Sequence, residues 1–168
     1  KYSIDYPVLD TEQKKVLEER IKINGKKLIT AGSTREGEEK ILIDIFKKIN
    51  EAEKYQMVLV PRHIQRTEEV AALCEGLDFS LYSENKKTEI IIVDKMGILR
   101  EMYQISDLVF VGGTFVEIGG HSILEPLYYG KVPIIGKYYS NIKDVAENAK
   151  PLNLVNIAET ENELENFF

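Results

Sequence analysis

LITAGSTREGEEKILIDIFKKINEAEKYQMVLV, residues 28–60, is a strand, a helix and a second strand in succession. Leu28, Ile29, Thr30 and Ala31 carry no charge, and neither do Met57, Val58, Leu59 and Val60, the continuous apolar pattern of parallel strands covered on both faces. Between them, Gly37 to Asn50 places Ile41, Leu42, Ile45, Phe46 and Ile49 on one helical face, with Glu38, Glu39, Asp44, Lys47 and Lys48 expected toward water. Parallel neighbours need a crossover, and the helix supplies it. Working outward, Glu89 to Val93, Leu108 to Val111 and Val132 to Ile135 give three more strands, and Leu77 to Leu81 a fainter one. The expected fold class is α/β, a Rossmann-like doubly wound parallel sheet. Residues 1–25, helical from about Asp10 to Ile23, form an approach segment to the first strand.

The composition narrows the function. A chain of 168 residues with 43% hydrophobic and 30% charged residues fits one globular domain. Lys and Arg number 22 against 28 acids, for a net charge of -6, and the cations are scattered. Nucleic acid is not an expected partner, because backbone binding needs clustered cations, and membrane contact is not expected through this domain. Cys74, the only cysteine, lies in the apolar run Val70 to Leu77 and is expected to pack as a small hydrophobe. His63 and His121 are too few for a histidine metal cluster, so neither a metal nor a cofactor is expected.

In doubly wound sheets, ligands sit beyond the carboxyl ends of the strands, which directs attention to the following loops. After Val111 come Gly112, Gly113 and Thr114, then Gly119, Gly120, His121, Ser122, Ile123, Leu124, Glu125 and Pro126. Two diglycine turns leading to a helix near Ser122 are expected to offer backbone amides to an anion. If both are helical, His121 and Glu125 share a face, and Glu125 could accept the hydroxyls of a ribose. Equally, Ser122 and Glu125 have capping-box spacing and need no ligand. After the first strand, Ser33, Thr34, Arg35 and Glu36 allow the same two readings; the loop is neither GxGxxG nor a P-loop, which argues against nicotinamide binding and NTP hydrolysis. Arg62 after Pro61 could fork onto a phosphate or simply open a helix in solvent. Met96 and Gly97, after Asp94 and Lys95, stand where a base edge could meet the backbone.

Taken in order, AGSTREGEE (31–39), PRH (61–63), DKMGIL (94–99), VGGT (111–114), IGGHSILEP (118–126) and GKYYSNIKDV (136–145) resemble the 3-deoxy-D-manno-octulosonic acid (Kdo) transferase family over almost the whole chain. The resemblance implies half of a GT-B glycosyltransferase: a carboxy-terminal domain, residues 1–168, that binds the donor CMP-Kdo. The implied activity is inverting transfer of Kdo to a lipid A precursor, in lipopolysaccharide biosynthesis at the cytoplasmic face of the bacterial inner membrane. Arg62 is then expected on the donor's nucleotide or phosphate, and Met96 with Gly97 beside the cytosine. Gly119, Gly120 and His121 are expected at the phosphate and Glu125 at the ribose. Ser33, Thr34 and Asn141 match positions facing the sugar. Ser122 stands where the family usually has asparagine, and Arg35 where histidine is common.

The same resemblance leaves the acceptor domain outside this chain: Lys1 to Pro7 looks like the stretch just after the domain junction, and Phe168 ends inside a helical pattern. The general base and the lipid acceptor belong to the amino-terminal half, so no catalytic residue is expected here and the isolated segment is expected to be inactive. A UDP-sugar epimerase, another GT-B transferase or a non-catalytic nucleotide-sensing module shares much of this pattern. Preference for UDP over CMP marks the first two, and a reading frame that starts at Lys1 marks the last.

Overall fold

The computed structural model describes residues 5–168, so the first four residues of the expected junction stretch lie outside the described region. The approach segment carries helix α1 (Thr11–Ile21), capped by Asp10 and Gln13 in a reciprocal box. Strand β1 (Lys27–Thr34) follows, then α2 (Glu38–Ile49) and β2 (Tyr55–Pro61). Next come α3 (Thr67–Leu73), β3 (Phe79–Leu81) and β4 (Ile90–Ile92). Helix α4 (Leu99–Ile105) leads to β5 (Leu108–Val111), and α5 (Leu124–Tyr128) to β6 (Pro133–Ile135). Helix α6 (Lys143–Ala149), strand β7 (Asn156–Ile157) and α7 (Glu161–Phe167) close the chain. The sequence pattern missed the two-residue β7, which is too short to show alternation.

The seven strands are all parallel, in the order β3-β4-β2-β1-β5-β6-β7. The chain winds outward from β1 on one side and then crosses to β5 on the other, so the switch point lies between β1 and β5. Alternate residues of β1 serve opposite faces. Ile29 and Ala31 pack with Leu42, Phe46, Val70 and Leu164, under α2, α3 and α7. Leu28 packs with Leu17, Ile21, Met102 and Ile105, under α1 and α4. Across the sheet, Val109 and Val111 meet Tyr103, Ala146 and Ala149 of α4 and α6. Cys74 is fully buried in the first of these clusters, and burial pushes its thiol up to about 11, keeping it protonated and inert. Among the described residues, no helix is long and apolar enough to cross a membrane.

One expectation about α2 fails. Glu38 and Glu39 do not face water; both are buried, at 1% and 0% exposure. Amphipathic reading assigns carboxylates to solvent, but the first turn of α2 lies beneath the loop after β5, and both acids have found donors there. Glu39 takes two hydrogen bonds from the Arg66 guanidinium, at 2.8 and 3.0 Å. Glu38 belongs to the site.

Candidate functional site

At the switch point β1 is bulged: its register with β2 shifts between Gly32 and Thr34, and Ser33 sits there with φ +54°. The loop after β5 descends onto this bulge, with Gly112 N–H donating to Gly32 O at 2.7 Å. Glu38 then gathers the next turn. Its Oε1 accepts from Gly113 N–H at 2.8 Å and Arg35 N–H at 2.9 Å; its Oε2 accepts from Thr114 at 3.1 Å and Phe115 at 2.8 Å. Burial raises the Glu38 pKa despite these four donors. The fold thus binds the Glu38 proton more firmly than the unfolded chain does. Its contribution to stability is complete at acid pH and declines as pH rises through the elevated value.

This corrects the expected role of the diglycine turns. The Gly113 and Thr114 amides are held by a protein carboxylate, Gly120 N–H donates to Gly113 O and His121 N–H to Gly112 O, so these groups are already satisfied. Gly119 and Gly120 are buried behind the cleft, at φ +104° and +92°, which only glycine adopts readily. Asn141 braces them, its amide donating to Ile118 O and Gly120 O. Thr34 is fully buried, its hydroxyl has no hydrogen-bond partner among the described residues, and it does not line the cleft. The helix starts at Leu124, not Ser122, because Pro126 is confined to a first turn. His121 is therefore not helical and shares no helical face with Glu125. Neither expected capping box forms: Ser122 Oγ accepts from Leu124 N–H and Glu125 turns to Arg100, while α2 starts at Glu38 with Gly37 as its N-cap and no side-chain cap, so Ser33 and Glu36 form no box.

What remains is an open cleft of about 370 Å³ outside β1, β2 and β5, lined by Ser33, Arg62, Met96, Gly97, His121, Ser122 and Glu125, with Lys95 and Leu99. Seven of the eleven expected positions thus meet in one place, while Thr34, Gly119, Gly120 and Asn141 are not part of its lining. A larger groove of about 490 Å³ under α1 mixes Lys15, Lys22 and Lys87 with Glu18 and Glu19. It lies at the amino-terminal edge of the sheet, away from the switch point where such folds bind ligands.

The cleft is cationic within an acidic protein. Among the described residues, Arg35, Arg62 and Lys95 have no carboxylate partner. Arg35 Nη1 lies 3.2 Å from His121 Nε2. Burial, then Arg35, Arg62 and His63, pushes the His121 pKa down to about 4. At neutral pH the imidazole is uncharged, and its contribution to stability, complete above about 6.5, is lost as pH falls toward 4. A proton NMR titration is expected to place this histidine near 4; a His121 midpoint near 6.5 would show that burial and the arginines do not shift it. Met96, 67% exposed, presents an apolar surface at the rim, and Gly97 beside it leaves the backbone open. Sequence reasoning named Arg35 and Lys95 within their motifs but gave neither them nor Glu38 a part in the site, since no spacing rule connects them to residues 112–121.

No family model matches the chain. It is 43% identical over 155 residues to a bifunctional glycosyltransferase/methyltransferase of Fusobacterium nucleatum, covering 88% of this chain and 24% of that protein. It is 38% identical over 129 residues to the 3-deoxy-D-manno-octulosonic acid transferase of Aquifex aeolicus, covering 76% of this chain and 36% of that protein. The chain therefore spans about a quarter to a third of these curated relatives. In three dimensions it matches the C-terminal CMP-Kdo binding domain of WaaA from Acinetobacter baumannii at a TM-score of 0.86 and 27% identity, over 93% of this chain and 85% of that domain. Fold and switch-point cleft together define the carboxy-terminal, Rossmann-like half of a GT-B glycosyltransferase. The chain belongs to the Kdo transferase family, in the segment that corresponds to its C-terminal domain.

Proposed function

We propose that the cleft binds CMP-Kdo and serves inverting transfer of Kdo to a lipid A precursor. The observation that carries this reading is a group of cations, Arg62 and Lys95 lining the cleft and Arg35 against a neutral His121, none with a carboxylate partner among the described residues, in a chain of net charge -6. Such a cluster costs repulsion unless an anion joins it, and a nucleoside monophosphate ester is the anion that the fold's switch point accommodates. Arg62 forks onto the phosphate, with Arg35 and Lys95 adding charge that strengthens as the leaving CMP becomes more negative. Ser122 and His121 lie between phosphate and ribose. Met96 and Gly97 border the cytosine, one by apolar contact and the other by open backbone. Glu125 accepts the ribose hydroxyls. Gly119, Gly120 and Asn141 shape the loop that presents His121, and the negative charge is met by side chains in place of the turn amides that Glu38 holds.

Capture of the lipid acceptor and removal of its proton fall to an amino-terminal domain outside the segment matched here, at the cytoplasmic face of the inner membrane. Residues 1–168 alone are then expected to bind donor without turning it over. The name carried by the Aquifex relative and the 0.86 match to a CMP-Kdo binding domain support this choice over a UDP-sugar enzyme. Isothermal titration with CMP, UMP and CDP tests it. CMP is expected to bind, UMP at least tenfold more weakly, and Glu125→Ala to weaken CMP by about 10- to 100-fold, the worth of one charged hydrogen-bonding group. Equal affinity for CMP and UMP would remove the cytidine assignment.

A further inference from the structure

We infer that Arg100 is a positioning residue for the ribose, fixing the Glu125 carboxylate, and that Tyr6 of the approach segment aims Arg100. The inference rests on the donor reading above and deepens it. Arg100, on the exposed side of α4, donates from Nε to Glu125 Oε2 at 2.5 Å. Its guanidinium carbon lies 4.5 Å from the centroid of the Tyr6 ring. Tyr6 in turn meets Tyr128 edge-on at 5.1 Å. The segment carrying Tyr6 is pinned just after that contact: Tyr129 OH donates to Pro7 O at 2.6 Å, and Leu9 N–H donates to Gln104 Oε1 at 2.8 Å. Arg100 is thus held between an aromatic face and a carboxylate, and the aromatic side is anchored by other contacts.

The pair does little for the fold. The Arg100 side chain is 47% exposed and that of Glu125 20%, and solvent-exposed ion pairs add little to stability. Its effect lies in the cleft. Glu125 stands on a helix of five residues and has several rotamers available to it. Arg100 selects one of them and occupies one edge of Oε2, while Oε1 takes no donor among the described residues. A carboxylate fixed in this way has lone pairs left for two adjacent hydroxyls, and a receptor ordered beforehand loses less entropy on binding. The cation–π contact keeps the guanidinium plane from swinging away when the hydroxyls arrive.

The test uses the 168-residue chain and two probes, CMP and 2′,3′-dideoxy-CMP, which share base and phosphate and differ only in the diol. The unmodified chain is expected to prefer CMP by at least tenfold. Arg100→Ala is expected to weaken CMP about tenfold while leaving dideoxy-CMP unchanged, so that the preference shrinks toward one. Arg100→Lys, which keeps the charge but not the planar fork, is expected to recover part of that preference. Thermal unfolding of both variants is expected to match the parent, which separates positioning from loss of fold. A preference for CMP that survives Arg100→Ala, or equal weakening of both probes, would overturn the positioning role alone. No preference in the unmodified chain would overturn the donor reading and this inference with it.

Discussion

Glu38→Ala is expected to be the most damaging single substitution in this domain, lowering unfolding free energy by roughly 3–6 kcal/mol. Four main-chain donors, those of Arg35, Gly113, Thr114 and Phe115, converge on this one carboxylate, which is 1% exposed. Alanine removes both acceptor oxygens and leaves these donors enclosed, at a cost of about 1–3 kcal/mol each before the loop relaxes or water enters. A loss of that size approaches the whole stability of an ordinary domain, about 5–15 kcal/mol. Glu38→Gln preserves length and volume but turns an NH₂ toward two of the N–H groups, and is expected to cost about 2 kcal/mol or more. Urea unfolding followed by circular dichroism measures both. A Glu38→Ala domain within 1 kcal/mol of the parent would mean that the loop has other means of support.

Gly112→Ala is expected to follow closely, at about 3 kcal/mol or more, and to abolish CMP binding as well. A Cβ at residue 112 would lie 2.3 Å from Ser33 O and 2.7 Å from Thr34 Cα. Both are main-chain atoms of the bulge in β1, and Gly112 is itself tied to Gly32 O at 2.7 Å, so neither side can yield without opening the sheet at its centre. Ser33 and His121, which face the cleft, are carried by these two segments. Gly25→Ala makes the control: φ there is +81° and nothing lies within 4 Å of the added atom, so only backbone strain of about 1–2 kcal/mol applies. Urea unfolding and CMP titration of the two variants should differ accordingly. Equal stability, or CMP binding unchanged in Gly112→Ala, would show that the two loops separate more easily than their geometry suggests.

The contrast between these residues and the glycine motifs shows where reading the sequence stops. The runs at 28–31, 57–60 and 108–111 announce themselves because a buried parallel strand must be apolar on both faces. The loops after them announce themselves because ligands gather at that edge of the sheet. Chain order alone therefore located Arg62, Met96, Gly97, His121 and Glu125 near one another. Which group satisfies which is a matter of distance in space. Glu38 and Gly113 are 75 residues apart, and no helical or strand period relates them. The helical pattern placed Glu38 in water by residue type, and the same habit credited the glycine amides to a ligand when a side chain of the protein already held them. Ser122 and Glu125 misled in the opposite direction: three-residue spacing suggests a cap, but Arg100, remote in sequence, draws the carboxylate away.

The placement of β1 between β2 and β5 also governs how the chain reaches this state. Leu28 N–H is satisfied by Asp107, 79 residues away, and the pairing of β1 with β5 closes a loop that contains most of the first half of the chain. Closing so long a loop costs entropy before any contact repays it, so the middle of the sheet is expected to zip after the β1–β2 unit has formed. Refolding is then governed by the same seam that forms the cleft, and a chain stalled before that closure would expose the uncovered edge of β1 to other chains.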